Sequence, residues 1–280
     1  MKPPRFDYAD PRTLGEAVAL MQQHEGEAKL LSGGQSLVPL LNMRLARPAI
    51  LVDLAKVAGL DHVREDGATL AIGAMTRQRS VELSPVVKAR HPMLHAATLH
   101  IAHPQNRNQG TVGGSLAHAD PAAELPACLV ALDGEVDIVG PQGKRSVKAG
   151  EFFKGLFETA LGPQDVLSAV RFPAATADAR VGFAELARRH GDYAIVGLAA
   201  VAKATGERLS DVRLVYFGVG ATPIRARKAE AALAGGSIDD AVNALDLDPS
   251  DDIQATGAVK KHLAGVLLRR VAAQLMEPRA

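Results

Sequence analysis

The chain has 280 residues, 47% of them hydrophobic and 22% charged. That is ordinary globular usage, and at roughly 150 residues per domain it is length enough for two. Lys and Arg number 32 against 31 Asp and Glu, a net charge of +1, so the basic surplus of a nucleic-acid-binding protein is missing. The one cysteine, Cys128, excludes an intrachain disulfide framework. It also excludes an iron–sulfur cluster held by this chain alone, because such clusters take about four thiolates.

Cys128 lies in the apolar run Leu125 to Leu132 and reads as a small buried hydrophobe. The opening Met1-Lys2-Pro3-Pro4 has no apolar signal region. No uncharged apolar stretch reaches the roughly 18 residues of a membrane span. The expectation is a soluble, cytoplasmic protein. The absence of Trp disfavours an aromatic platform for stacked bases.

In chain order, Thr13 with Glu16 three residues on forms a capping box for a helix to His24. Lys29 to Leu31 reads as a short strand ending at Gly33-Gly34. A helix follows from Ser36 to Arg44, stopped by Pro48, and Ile50 to Leu54 is a buried strand. Thr69 to Ala74 is a strand, and Thr76 is expected to cap a helix to Leu83. Ser84-Pro85 starts another helix, since Pro suits the first helical position. Pro92 to Ala102 is helical, and His103 to Gln109 reads as an irregular polar loop. Asp120 is expected to cap a helix from Pro121 to Leu132. Strands at Glu135 to Val139 and Lys144 to Lys148 flank the turn Gly140 to Gly143, and Val166 to Phe172 is a further strand. Pro173 to Asp178 lacks periodicity and marks a domain boundary. Beyond it, strands Val181 to Arg189, Ala194 to Ala204 and Val212 to Val219 precede helices Ile224 to Ala234, Ile238 to Leu245 and Ala258 to Met276. Strands followed by helices predict an α+β module with helices on one face of an antiparallel sheet.

Two glycine pairs carry the chemistry. Leu31-Ser32-Gly33-Gly34-Gln35-Ser36-Leu37 and Gly110-Thr111-Val112-Gly113-Gly114-Ser115 each read as a strand, a turn and a helix start. Paired glycines admit positive φ and close backbone approach. Successive N–H groups then form an anion nest, with Ser32, Gln35, Ser36, Thr111 and Ser115 as polar donors beside it. Two such turns would grip a diphosphate without a lysine; two plain tight turns are the alternative. Other patterns fall short. Gly34 to Val38 lacks the last glycine of a nucleophile elbow. Gly218 to Pro223 has Pro where a dinucleotide fingerprint needs Gly. His95, His100, His103 and His118 lack metalloprotease spacing. Asp120 and Glu124 share one face of a helix, with Asp120 open to two roles, cap or acceptor from ligand hydroxyls, and Glu124 read as the acceptor.

The glycine turns, together with Phe6-Asp7-Tyr8, Leu51 to Leu54, Ile72 to Thr76, Ile101 to Gln105, Ala119 to Pro126 and Arg188 to Ala194, resemble the medium subunits of molybdenum hydroxylases. That family includes carbon monoxide dehydrogenase, xanthine dehydrogenase and related aromatic-compound dehydrogenases. The matches run in order over nearly the whole chain. The resemblance implies an α+β fold: a two-subdomain FAD-binding domain of the vanillyl-alcohol-oxidase (PCMH) type at 1–175, divided near residue 56. A small α+β domain of the CO dehydrogenase flavoprotein type would occupy 176–280. It implies non-covalent FAD on Leu31, Ser32, Gly33, Gly34, Gln35, Ser36, Leu37, Thr111, Gly113, Gly114 and Ser115. Ile101, Ala102, Asp120, Glu124, Leu167 and Tyr193 would complete the site. It implies no catalytic side chain and no metal on this chain. Its partners would be a small subunit with 2Fe-2S clusters and a large subunit with molybdopterin, forming a heterotrimer that either dimerises or does not. Two departures stand out: Asn106 replaces an Ile of many relatives, and Ala184 and Glu185 stand where some relatives place a Lys. A self-sufficient flavin oxidase or reductase and a flavin-free assembly module are the competing readings.

Overall fold

The computed structural model describes residues 1–176, 178–206 and 208–276. The first lobe comprises β1 (Asp7–Ala9), α1 (Leu14–Gln23), β2 (Ala28–Leu31), α2 (Leu37–Asn42) and β3 (Ile50–Asp53). Its strands form a parallel sheet in the order β1-β3-β2. The capping box is present: Thr13 Oγ1 accepts from the Glu16 N–H at 3.2 Å, and the Glu16 carboxylate accepts from the Thr13 N–H at 3.3 Å. This start sets Ala17, Val18 and Met21 of α1 against Ile50 and Val52. The second helix ends at Asn42, well before Pro48.

The second lobe contains β4 (Val63–Asp66), β5 (Thr69–Gly73), α3 (Gln78–Leu83), α4 (Pro85–Arg90), α5 (Pro92–His100), α6 (Pro104–Arg107), α7 (Val112–His118) and α8 (Glu124–Ala131). It continues with β6 (Glu135–Gly140), β7 (Gly143–Lys148), α9 (Ala149–Phe152), β8 (Phe153–Gly155), β9 (Glu158–Thr159) and β10 (Val166–Pro173). The main sheet is antiparallel, ordered β4-β5-β10-β6-β7. Ile72, Val136, Val170 and Phe172 belong to the same core as Leu94, Leu116 and Leu129 of the helices. Cys128 is fully buried in it.

The third lobe contains β11 (Ala179–Leu186), β12 (Val196–Thr205), β13 (Arg208–Phe217), β14 (Ile224–Arg225), α10 (Arg227–Ala234), α11 (Ile238–Asn243) and α12 (Gly257–Met276). Its sheet is antiparallel in sequence order. Helices cover one face as expected: Leu198, Ala200, Leu214 and Tyr216 share a core with Leu267, Leu268 and Val271 of α12. The other face is not free. Phe183, Ala199, Val215 and Phe217 belong to the core of the second lobe, where α5 packs on β11 and α8 on β12 and β13.

Several local expectations are corrected. Thr76 does not cap a helix; its hydroxyl accepts from the His62 N–H at 3.0 Å and donates to the His62 carbonyl at 2.9 Å, and α3 starts after Arg77. Residues 104–107 of the expected loop form a helical turn. Asp120 lies ahead of α8, whose N-cap is Ala123. The strand expected to reach Arg189 stops at Leu186. Ala177, within the expected linker, and residues 277–280 of the expected last domain lie outside the described residues.

Candidate cofactor site

A cleft of about 1110 Å³ runs between the lobes. Ser32, Gly33, Gly34, Gln35, Ser36, Leu37, Ile101, Ala102, Thr111, Gly113, Gly114, Ser115, Asp120, Glu124, Leu167 and Tyr193 all line it. Leu31 does not. Its side chain instead reaches the turn, its Cδ1 3.4 Å from where a Cβ on Gly34 would stand.

The first glycine turn is built to offer donors. Gly34 has φ +71°, a left-handed conformation costly for other residues. Gly33 is needed for close approach: a Cβ there would stand 2.4 Å from the Gln109 carbonyl oxygen. The turn is braced by Gln35, whose Nε2 donates to the Gly33 carbonyl at 3.1 Å and whose Oε1 accepts from Asn106 Nδ2 at 3.2 Å. Among the described residues, the N–H groups of Gly33, Gly34, Gln35 and Ser36 find no acceptor in the chain. All four residues line the cleft, Gly33, Gly34 and Ser36 half-buried and Gln35 exposed, and successive free N–H groups in such a turn can serve an anion.

The second turn differs from its expectation. No strand precedes it beyond a single bridge from Arg77 to Thr111, and both glycines sit inside the first turn of α7. Their N–H groups are already used. Gly113 donates to the Ala74 carbonyl at 2.9 Å, Gly114 to Thr111 Oγ1 at 3.0 Å, and Val112 to the Thr76 carbonyl at 3.0 Å. The pair therefore supplies room rather than donors. A Cβ on Gly114 would stand 2.7 Å from Thr111 Oγ1 and 3.3 Å from Ser32 Oγ. That room lets Ser32 Oγ and Thr111 Oγ1 share a 2.6 Å hydrogen bond that ties the two turns together.

At one end of the cleft, α5 stops at Ile101 and Ala102, the latter left-handed at φ +41°. Arg107 fixes this corner. It is 4% exposed, donates to both carbonyls at 2.8 and 3.3 Å, and is paired with Glu82 at 2.8 Å. That pairing holds the Glu82 carboxyl below its usual range. Asp120 Oδ1 accepts from the Ala122 N–H at 2.9 Å, shaping the approach to α8 rather than capping it. Glu124 begins that helix and is buried; burial first, then the Glu185 carboxylate, pushes its pKa up to about 8. Tyr193, half-exposed at the lip, comes from the third lobe. Burial, and after it Asp120 and Glu124, raises its phenol.

The cleft is also lined by Lys29 and Arg47 from the first lobe and Asp165 from the turn before β10. Sequence reading missed these because they are isolated polar residues in unrelated elements. The histidines do not converge on a metal site; among the described residues no group of three or more His, Cys, Asp and Glu could hold one. Gly218 to Pro223 joins β13 to antiparallel β14, which disposes of a dinucleotide βαβ unit.

A cleft between α+β lobes, with a glycine turn whose N–H groups have no acceptor among the described residues, has the room and the donors that a nucleotide cofactor uses. Residues 4–175 match the model of the FAD binding domain in molybdopterin dehydrogenase, and residues 182–275 that of the CO dehydrogenase flavoprotein C-terminal domain. The chain belongs to this flavoprotein family of molybdenum hydroxylase subunits. It is 37% identical to the carbon monoxide dehydrogenase medium chain of Hydrogenophaga pseudoflava, covering 96% of each chain. It is 38% identical to the 6-hydroxypseudooxynicotine dehydrogenase complex subunit alpha of Paenarthrobacter nicotinovorans, over 99% of this chain and 96% of the relative. Its structure is similar to a chain of quinoline 2-oxidoreductase from Pseudomonas putida 86, with TM-score 0.94 and 34% identity over 99% of this chain and 98% of that one. It is an oxidoreductase subunit with a FAD-binding domain.

Proposed function

We propose that this chain is the electron-transfer flavoprotein subunit of a cytoplasmic molybdenum hydroxylase complex. Substrate oxidation belongs to a large subunit carrying molybdopterin. Electrons reach this chain from 2Fe-2S clusters on a small subunit, in a heterotrimer, and leave to an external acceptor. The printed descriptions of the relatives as a medium chain and a complex subunit support such an assembly. No helix among the described residues is long and apolar enough to cross a membrane. Residues 1–175, in subdomains 1–56 and 57–175, are the cofactor domain in this reading, and 176–280 the closing domain.

The observation that carries the reading is the run of four unengaged N–H groups from Gly33 to Ser36 inside the cleft. The geometry fits a non-covalent FAD. Gly33 to Ser36 would hold the diphosphate, with the hydroxyls of Ser36 and Ser115 beside it. Asp120 and Glu124 would meet hydroxyl or carbonyl oxygens, and Ile101, Ala102, Leu167 and Tyr193 would enclose the ring system. FAD, when bound, supplies the redox chemistry; the chain binds, orients and tunes it. Arg107 holds the corner at Ile101 and Ala102, and the Ser32–Thr111 bond keeps the turns in register.

The test is the visible spectrum of the purified chain, before denaturation and on the supernatant after it. Flavin bands that move to the supernatant, with FAD identified by chromatography, are expected. A colourless chain that also takes up no added FAD refutes the reading and favours an assembly module. Turnover of a small substrate by the chain alone would instead identify a self-sufficient flavoenzyme.

A further inference from the structure

Three side chains from separate elements meet at the first glycine turn. Ser32 follows β2, Met75 stands just beyond β5, and Thr111 caps α7. Met75 is 6% exposed and belongs to the same core as Val52 and Leu54 of the first lobe. Its N–H fixes it by donating to the Leu60 carbonyl at 2.8 Å. Its Sδ lies 3.0 Å from Ser32 Oγ, and Ser32 Oγ lies 2.6 Å from Thr111 Oγ1. Thr111 Oγ1 in turn accepts from the Gly114 N–H at 3.0 Å. Ser32 and Thr111 both line the cleft.

The supply of protons fixes the direction of each bond in this row. A thioether has no hydrogen and can only accept, and a hydroxyl has one proton to give. Ser32 therefore donates to Met75. That leaves Thr111 as the donor to Ser32, and its proton is free for this because Gly114 occupies only a lone pair of its oxygen. The row runs one way, from the Gly114 N–H through Thr111 and Ser32 to sulfur, and aligned links of this kind reinforce one another. Both hydroxyl protons are engaged within the chain. What Ser32 has left to offer the cleft is its second lone pair.

We propose that Met75 is a positioning residue of the cofactor site: by taking the Ser32 proton it makes Ser32 an acceptor, which receives a hydroxyl of the ligand and gives nothing to a phosphate oxygen. The proposal rests on the cofactor reading above. Adjacent residues then divide the work. The N–H groups of Gly33 to Ser36, which have no acceptor among the described residues, serve an anion, and the Ser32 oxygen just before them receives an alcohol. A dinucleotide carries both, a diphosphate flanked by sugar or sugar-alcohol hydroxyls, whereas bare pyrophosphate carries only the first. Met75 thus sets a preference for the complete dinucleotide over inorganic diphosphate. The sequence pattern offers Ser32 as a donor; a thioether 43 residues further along reverses that role.

The experiment measures binding of FAD, by flavin fluorescence, and of pyrophosphate, by calorimetry, to the full-length apoprotein in three forms: unaltered, Met75→Leu and Ser32→Ala. Leu nearly conserves the volume of Met but accepts nothing, so in Met75→Leu the Ser32 proton turns to the cleft. The ratio of pyrophosphate affinity to FAD affinity should then rise about two- to tenfold, the effect of one hydrogen bond. Ser32→Ala should weaken FAD by a similar factor and leave pyrophosphate unchanged. A merely structural role for Met75 would weaken both ligands together and leave the ratio where it was. A crystal structure of the unaltered chain with FAD needs no variant to fold. In it a ligand hydroxyl, and no phosphate oxygen, should lie within about 3 Å of Ser32 Oγ. An unchanged ratio in Met75→Leu, a pyrophosphate affinity that falls with that of FAD in Ser32→Ala, or a phosphate oxygen on Ser32 Oγ would each overturn the proposal. An unaltered chain that takes up no FAD would overturn the cofactor reading itself.

Discussion

Gly33→Ala isolates the steric demand at the glycine turn from any demand for unusual dihedrals, because Gly33 does not adopt positive φ. The added methyl would stand 2.4 Å from the Gln109 carbonyl oxygen and 2.8 Å from Gly110 Cα. Both are backbone atoms that no rotamer change can move. Ordinary contact begins at 3.4 Å, so the two turns must part by 3.4 − 2.4, about 1 Å. The Ser32–Thr111 bond, now 2.6 Å, would lengthen toward 3.6 Å and be lost. Overpacking costs about 1–3 kcal/mol and the lost hydrogen bond about 1 kcal/mol. The same displacement pulls the N–H donors of Gly33 to Ser36 out of register with their ligand. FAD affinity should fall roughly tenfold to a hundredfold, equivalent to about 1.4–3 kcal/mol. Fluorescence titration of the apoprotein reads this directly, with a thermal melt run alongside. Gly150→Ala is the control, since a Cβ there meets open space. A Gly33→Ala protein with affinity within about twofold of the unaltered chain and an unchanged Tm would refute the close-approach reasoning.

Gly34→Val combines a disfavoured φ of +71° with a Cβ 3.2 Å from Val38 Cγ2; the protein should purify without flavin, and full flavin content would remove the assignment of this turn. Arg107→Met removes the buried partner of Glu82, which keeps only the more exposed Arg79, and frees the Ile101 and Ala102 carbonyls; it should destabilise the chain by about 1–3 kcal/mol in denaturant titration. His91 is buried, with both ring nitrogens unpartnered, and burial lowers its pKa from 6.5 to about 4. The unfolded chain therefore takes up a proton near pH 6.5 that the folded chain refuses until about 4, so stability is lost as pH falls through that window, by up to about 3 kcal/mol. His91→Leu should remove that component, seen as a smaller loss of stability between pH 7 and 4 in paired unfolding curves.

The features legible in the sequence are those whose partners lie within a few residues. The Thr13–Glu16 box is a local exchange of hydrogen bonds and forms as written; the helix expected at Ser84-Pro85 starts there too, with Ser84 Oγ accepting from the Val87 N–H. Thr76 has the same local signature, but its hydroxyl is satisfied by a backbone segment fourteen residues earlier. A sequence window cannot weigh that competitor. The second glycine pair reads in sequence as a nest because paired glycines suggest freedom. The structure uses them for room, and their donors go to Ala74 and Thr111. The polar segment Val63 to Asp66 goes unrecognised as β4 because only one of its four residues is even partly buried. The cleft lining was legible in its two glycine turns and in Glu124 and Tyr193. Lys29, Arg47 and Asp165 carry no motif; only the fold places them on the same cleft.

The sheet of the third lobe has a consequence for how this protein lives and dies. Val196 to Ala202 is an almost unbroken apolar run, the mark of a strand with no watered side. Leu198 and Tyr216 face α12, while Ala199 and Phe217 face the helices of the second lobe. A chain cut after residue 175 would expose the apolar backs of α5 and α8 and lose Glu185 and Tyr193 together. The last hundred residues are thus a wall shared by two rooms. Heating should melt both in one transition, and a newly made chain has no finished cofactor domain until its C-terminal strands have arrived.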